Sequence, residues 1–181
     1  MFKKQFCLYA FLSGIFIFVF WNTALSYEVD THAALTKETI KFYNKNFTNK
    51  IPEEFFSYLM DGSRREDDPP RWMNHFYDPV KDRGLESSFG NGLRAYEWAV
   101  NGKAQTALKY HPVIATALAS LQQRKIEKFF PTSDFTWDEA VRYMVNGEEE
   151  MAYYTLGHVF HLLQDMAVPD HTRNDLHAML F

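Results

Sequence analysis

Cysteine is nearly absent from this sequence of 181 residues, and its one occurrence is Cys7, close to the start. A disulfide framework and a cysteine-based metal site are therefore excluded, so a bound metal would need His, Asp, Glu or backbone ligands. The sequence also lacks a basic tract, and its formal net charge is -4. Stable nucleic-acid binding through neutralisation of phosphates is therefore not expected.

Several patterns that identify other folds are missing as well. The sequence has no strand alternation, glycine-rich phosphate loop, Gly-x-Ser-x-Gly elbow or internal repeat. Apolar side chains are abundant, since 46% of the residues are hydrophobic and 17% are aromatic. This composition is typical of a globular protein that can bury a sizeable core. We therefore expect an all-α fold with a single multi-helix domain.

Residues 1–26 have the features of an export signal. Two lysines form a basic start, an apolar run extends to Trp21, and small residues stand at Ala24 and Ser26, where a signal peptidase recognises its substrate. The run is shorter than the ~20 residues of a membrane-spanning helix, and an uncleaved anchor is the alternative. We expect cleavage after Ser26, which would leave residues 27–181 as the domain of a secreted or periplasmic protein.

Capping residues and prolines predict several helices of this domain. Thr36 is a candidate N-cap, and Pro52 suits the first turn of a helix that Gly62 would end. Residues 89–130 are expected to be helical apart from a break at a proline. Thr136 begins a capping box, which predicts that another helix starts there.

The most informative helix is predicted between Glu148 and Pro169. Acidic residues at its start suit the positive end of the helix dipole, and the proline lacks the N–H that would continue the helix. At about 100° per residue, His158, His161 and Asp165 fall within one arc of this helix. Its other faces are apolar, so the helix is expected to be buried.

Two imidazoles and a carboxylate that are buried side by side need a partner, and a divalent cation is the simplest one. His161 and Asp165 are four residues apart, which is ligand spacing on a helix face. His171 follows the helix end and could return to the same cleft. For His158 we favour packing, or contact with a ligand residue from behind, over direct ligation.

Two motifs carry a family resemblance: His161-x3-Asp165-x5-His171, and a His-Phe-Tyr-Asp-Pro sequence that begins at His75. Both resemble motifs of the zinc-dependent phospholipase C family, which is related to the S1/P1 nucleases. The resemblance covers residues 27–181 and implies the all-α domain type of phospholipase C and P1 nuclease. The sequence stops at Phe181, so we expect the domain to be incomplete and to lack the family's C-terminal helices.

The resemblance implies up to three zinc ions. The first would be held by Asp67, His75, His161 and Asp165. The second would be held by the backbone of Tyr27 as the new N-terminus, by His32 and by the other oxygen of Asp165. His171 would belong to the third, with His177 as the nearest candidate for a second ligand. The family's next ligand, a glutamate, would fall on Phe181, so the third site is expected to be incomplete.

The choice of Asp67 depends on how the family's loop is aligned. Counting from the loop glycine gives Asp67, whereas counting back from the histidine gives Asp61. We prefer Asp67, because Asp61 falls at the end of a predicted helix as an ordinary capping-region residue. Glu66 and Asp68 are the competing acids of the same loop, where acids are usually only solvated. By resemblance, Asp67 could also accept the proton of the attacking water.

The resemblance implies a zinc-dependent hydrolase that cleaves phosphodiester bonds through a metal-activated water. The His-Phe-Tyr-Asp-Pro motif favours a phospholipase C that acts on phospholipid headgroups, with transient contact to a membrane surface. The spacing from Tyr27 to His32 is closer to that of the nuclease branch, so a single-strand nuclease is one alternative. A non-catalytic exported zinc-binding helical fragment is the other.

Overall fold

A computed structural model of the protein describes residues 29–68, 71–87, 90–108 and 134–174. The predicted export signal, Tyr27, His177 and most of the predicted helical region 89–130 lie outside the described residues. Within them, no helix combines the length and the apolar character that a membrane crossing requires.

The described residues form seven α-helices. In chain order these are α1 (Val29–Asn46), α2 (Phe56–Arg65), α3 (Ala95–Trp98), α4 (Gly102–Leu108), α5 (Trp137–Val145), α6 (Glu149–Asp165) and α7 (Pro169–Arg173). Short 3-10 helices span Glu53–Phe55 and Arg71–Asn74, and the two-residue strands β1 (Glu86–Ser87) and β2 (Gly90–Asn91) pair antiparallel. The predicted all-α class is therefore confirmed for the described part of the chain.

Helix α6 is the centre of the core and packs against α2, α5 and α1. It begins at Glu149 and ends at Asp165, with Met166 as C-cap, so the predicted helix is confirmed. Its buried positions lie on nearly all sides, as its apolar sequence predicts, and Leu163 is an exposed exception. Two of its buried polar residues, His161 and Asp165, belong to the site described below.

Helices α2 and α6 cross where two glycines face each other. A Cβ atom added to Gly62 would lie 2.0 Å from the carbonyl oxygen of Tyr154, and one added to Gly157 would lie 2.3 Å from that of Leu59. The prediction that Gly62 ends its helix is wrong, because α2 continues to Arg65. Gly62 allows α2 and α6 to approach each other closely; it does not end the helix.

Two other predictions of local structure are also wrong. Thr36 is not an N-cap, because α1 begins at Val29 and Thr36 lies in the middle of this helix. Its side chain is buried, and its hydroxyl donates to Ser63 Oγ of α2 at 2.9 Å. The predicted helical region does not begin at residue 89, since β2 occupies Gly90–Asn91. Directly after this strand the backbone at Gly92 packs closely against that of Met73: a Cβ added to Gly92 would lie 1.8 Å from the carbonyl oxygen of Met73.

The N-cap bond of the predicted capping box is present at the start of α5, with the Thr136 hydroxyl accepting a hydrogen bond from Glu139 N at 3.3 Å. The reciprocal bond is not made, because Thr136 N donates to Asp134 Oδ1 at 3.2 Å and the Glu139 carboxylate accepts from Arg142. Replacing Thr136 by alanine is expected to lower the free energy of unfolding by about 1 kcal/mol, because an N-terminal N–H loses its acceptor. Urea denaturation would measure this difference. Thr136→Ser keeps the hydroxyl and serves as the control; equal losses in both variants would contradict the capping role.

Candidate metal centre

Four imidazoles converge on Asp165 at the end of α6. Its Oδ2 atom lies 3.0 Å from His75 Nδ1, 3.1 Å from His161 Nε2 and 3.2 Å from His171 Nδ1. Its Oδ1 atom lies 3.4 Å from His32 Nε2. All five residues are buried, and the Asp165 side chain is 1% exposed. The structure therefore brings four of the predicted histidines and the predicted bridging carboxylate into one cluster.

Each histidine reaches the cluster from a different segment. His32 lies in the first turn of α1, His161 lies in α6, and His75 follows the 3-10 helix Arg71–Asn74. His171 lies in α7, where its ring stacks on Phe76 with the ring centroids 4.7 Å apart. The backbone of the next residue fixes this contact, because Tyr77 N donates to the carbonyl oxygen of His171 at 3.1 Å.

The orientation of His161 follows from its contact with α2. Its Nδ1 atom lies 2.6 Å from the carbonyl oxygen of Ser63, which can only accept, so Nδ1 carries a proton. The Nε2 atom of the neutral ring therefore points a lone pair at Asp165, and it also lies 3.2 Å from His75 Nδ1. Lone pairs that face one another in a buried site need a cation between them, either a proton or a metal ion.

His32 is oriented by a chain of side-chain hydrogen bonds. Its Nδ1 atom lies 2.8 Å from Gln164 Oε1, and Gln164 Nε2 donates to Thr36 Oγ1 at 2.9 Å. The amide oxygen accepts from the ring, so His32 Nε2 presents its lone pair towards Asp165. The rings of His32 and His161 stack with centroids 3.7 Å apart. Neither Gln164 nor Ser63 is predicted as a site residue, because a glutamine or a backbone carbonyl gives no ligand signal in a sequence.

Asp67, and not Asp61, is the loop acid that reaches the imidazoles. Asp67 Oδ1 lies 3.5 Å from His161 Nε2 and 3.6 Å from His75 Nδ1. Asp61 instead pairs with two arginines of its own helix, each at 3.4 Å. The Asp67 side chain is 27% exposed, so this carboxylate forms the solvent-facing edge of the cluster.

The expectation that Glu66 is a solvated acid is wrong. Its side chain is completely buried behind His75, and Arg71 Nε donates to its Oε2 atom at 2.7 Å. Although burial opposes its charge, the Arg71 guanidinium keeps the pKa of Glu66 well below the usual value. Asp68, in contrast, is a half-exposed acid that lies 3.4 Å from an arginine.

The cluster strongly perturbs its own acid–base equilibria. Burial opposes a charge on His161, but the nearby carboxylates of Asp165 and Asp67 outweigh it and raise its pKa to about 10. Burial likewise opposes the charge of Asp165, yet the surrounding imidazoles hold its pKa far below the ordinary range. For His32, burial and the neighbouring His161 lower the pKa. The carboxylates therefore favour a positive charge among the imidazoles.

Two groups in the described part of the chain could hold a metal ion: His32 with His161 and Asp165, and Asp67 with His75 and His161. In each group the ligand atoms lie within 4.8 Å of one another. The surroundings of Asp165 Oδ2 show that these residues suit a metal ion. The atom is buried and has three nitrogen neighbours, yet it makes no hydrogen bond with a described group. Nitrogens gathered around an oxygen without hydrogen-bond geometry suit a shared cation.

Comparisons of the chain with protein-family models, with curated proteins and with solved structures found no match. The donors of the site are imidazole nitrogens and carboxylate oxygens, the set that borderline cations such as zinc accept.

The resemblance places His171 at a separate third metal, whereas in the structure its Nδ1 atom faces the same Asp165 oxygen as two other histidines. His158, expected to pack or to lie behind the ligands, is not among the residues that face Asp165. Its ring stacks on Phe135 with centroids 4.1 Å apart, and burial lowers its pKa to about 4.

Proposed function

We propose that this chain is a zinc-dependent hydrolase of phosphodiester bonds, of the phospholipase C kind, acting on phospholipid headgroups. The observation that carries the proposal is the convergence of four imidazoles on the buried carboxylate of Asp165. A carboxylate with separate nitrogens at each oxygen is suited to bridge two cations. The donors are nitrogen and oxygen atoms, as in catalytic zinc sites.

The contacts support the ligand sets that the family resemblance implies. His75, His161, Asp67 and Asp165 would hold one zinc, and His32 with the other oxygen of Asp165 would hold its neighbour. When bound, zinc ions supply an activated water at neutral pH and neutralise the charge that builds on a phosphate during hydrolysis. Ser63 and Gln164 keep His161 and His32 in the tautomers that leave Nε2 available as a ligand.

Asp67 is proposed as the group that accepts the proton of the attacking water. Its side chain is 27% exposed while that of Asp165 is 1% exposed, so solvent and substrate reach Asp67 first. Its position beside His75 and His161 places it at the edge of the metal ligands, where a carboxylate can act as a general base.

Asp67→Asn is expected to lower the hydrolysis rate by about 10²–10⁴-fold, because the amide cannot accept the water proton. Initial rates at saturating zinc would measure the loss. Asp61→Asn is the matched control, since Asp61 lies nearby but pairs only with arginines of α2 in the described structure. A rate loss in the Asp61 variant that equals or exceeds that of the Asp67 variant would contradict the assignment.

A single-strand nuclease of the S1/P1 kind is the second candidate, favoured by the spacing between Tyr27 and His32. Assays of the zinc-loaded chain on phosphatidylcholine vesicles and on single-stranded DNA would separate the two functions. Hydrolysis of the lipid supports phospholipase C, and hydrolysis of DNA alone reverses the order. Equilibrium dialysis with zinc completes the test: bound zinc without either hydrolysis would support a non-catalytic zinc-binding protein.

A further inference from the structure

We infer that Glu66 is a positioning residue for the metal centre: its carboxylate is the acceptor for the N–H of His75 Nε2 when metal is bound, which makes Nδ1 the metal ligand of that ring. The inference rests on the proposed zinc site and adds a residue that lies behind it. Glu66 stands directly before Asp67 in the chain, yet the two carboxylates lie on opposite sides of the His75 ring.

The two ring nitrogens of His75 face different carboxylates. Nδ1 lies 3.0 Å from Asp165 Oδ2 and 3.6 Å from Asp67 Oδ1, whereas Nε2 lies 3.6 Å from Glu66 Oε1. Nε2 is buried and makes no hydrogen bond with any group in the described ranges. Glu66 is thus the acceptor towards which this buried nitrogen is directed.

The carboxylate of Glu66 has one acceptor position left for this bond. Oε2 accepts from Arg71 Nε at 2.7 Å and lies 2.5 Å from His158 Nδ1, while Oε1 accepts from Trp98 Nε1 at 2.7 Å. An ionised carboxylate offers about four lone-pair positions, so three donors leave one on Oε1. That oxygen is the one nearest to His75 Nε2.

Arg71 fixes the carboxylate from the other side. Its guanidinium carbon lies 5.0 Å from the ring centroids of both Trp98 and Phe135, and its Nη2 donates to Gln105 Oε1 at 3.0 Å. Gln105 in turn donates to the backbone oxygen of Trp98 at 2.8 Å. Glu66 is therefore a buried anion with a matched cation and a fixed direction, which a purely solvated loop acid would not need.

This arrangement matters because a ligating imidazole has to present an unprotonated nitrogen to the metal. An acceptor at the far nitrogen holds the proton there, sets the ring orientation and increases the basicity of the ligating nitrogen. Ser63 and Gln164 supply this acceptor to His161 and His32 through hydrogen bonds of 2.6 and 2.8 Å. Glu66 occupies the corresponding position at His75, with its Oε1 atom 3.6 Å from Nε2. Of these three groups only Glu66 is charged; the Ser63 carbonyl and the Gln164 amide are neutral acceptors.

The direct test uses the unmodified full chain with its histidines labelled with 15N and loaded with zinc. Long-range 1H–15N spectra distinguish a protonated ring nitrogen from a metal-bound one. We expect His75 to carry its proton on Nε2 and to bind zinc through Nδ1. Zinc bound through Nε2 of His75, or a proton retained on Nδ1, would overturn the inference without reference to any variant.

A pair of variants gives the second readout. Glu66→Gln is expected to weaken zinc binding by about 10–100-fold in competition with a chelator, because its amide group cannot satisfy donors on both sides. Trp98→Phe removes another donor to the same carboxylate but leaves Oε1 facing His75, so it should lower the unfolding temperature without a comparable loss of zinc affinity. Equal zinc affinities in both variants would overturn the inference.

Failure of the inference can be told apart from failure of the proposed function. A chain that binds zinc and hydrolyses phosphatidylcholine, but ligates through His75 Nε2, would retain the function and lose the role of Glu66. A chain that binds no zinc would overturn both.

Discussion

Asp165→Asn is expected to abolish tight zinc binding and, with it, hydrolysis. The amide keeps the size of the side chain but has one oxygen and no charge, whereas the carboxylate faces His32 with Oδ1 and three other histidines with Oδ2. Removal of a group that only orients a ligand lowers metal affinity by about 10–100-fold. The loss of zinc affinity in this variant should be larger, because Asp165 is proposed as a direct ligand of both ions.

Thermal unfolding with and without zinc would measure this effect. A ligand present at 100 times its Kd raises the free energy of unfolding by about 2.7 kcal/mol, so the wild-type chain should unfold at a higher temperature in zinc. The Asp165→Asn variant should show no such increase. Asp170→Asn is the matched control, because Asp170 lies in the neighbouring helix α7 and pairs with Arg173. An undiminished zinc effect in the Asp165 variant would contradict its role as a ligand.

Gly157→Ala is expected to lower the free energy of unfolding by about 3 kcal/mol or more, the upper range for an overpacked interior. The added Cβ would lie 2.3 Å from Leu59 O, 2.8 Å from Ser63 N and 3.0 Å from Gly62 Cα, all backbone atoms that no rotamer change can move. Alanine gains up to about 1 kcal/mol in helix propensity, which is too little to offset these contacts.

The same substitution should also damage the metal centre. Separation of α2 from α6 would draw the Ser63 carbonyl away from His161 Nδ1, a contact of 2.6 Å. Urea denaturation measures the stability, and zinc competition measures the site in molecules that remain folded. Ser57→Ala, an exposed position on α2, is the control and should change stability by less than about 0.5 kcal/mol. Equal stability of the two variants would contradict the close crossing.

Helical periodicity in the sequence predicts the part of the site that lies on α6, but not the residues that come from other segments. His161 and Asp165 share a face of α6 because of their four-residue spacing, and the helix bounds follow from acidic residues and a proline. The approach of His32 and His75 to this face depends on tertiary packing. Residue spacing alone gives no such information, and for these two positions the prediction came from motif resemblance.

The errors in the prediction have a common physical cause. Gly62, Thr36 and Glu66 are residue types common at helix ends or in loops, yet all three are buried where two segments meet. Gly62 permits close packing, Thr36 donates to Ser63, and Glu66 pairs with Arg71. Local propensity misassigns such residues because their partners are distant in the chain.

Anomalous diffraction at the zinc absorption edge, on crystals of the zinc-loaded chain, would locate the metal itself. We expect peaks next to Asp165, with His75 Nδ1 and His161 Nε2 about 2.0–2.1 Å from the metal. Absence of zinc from this cluster, with its imidazoles hydrogen-bonded to carboxylates instead, would overturn the proposed metal centre.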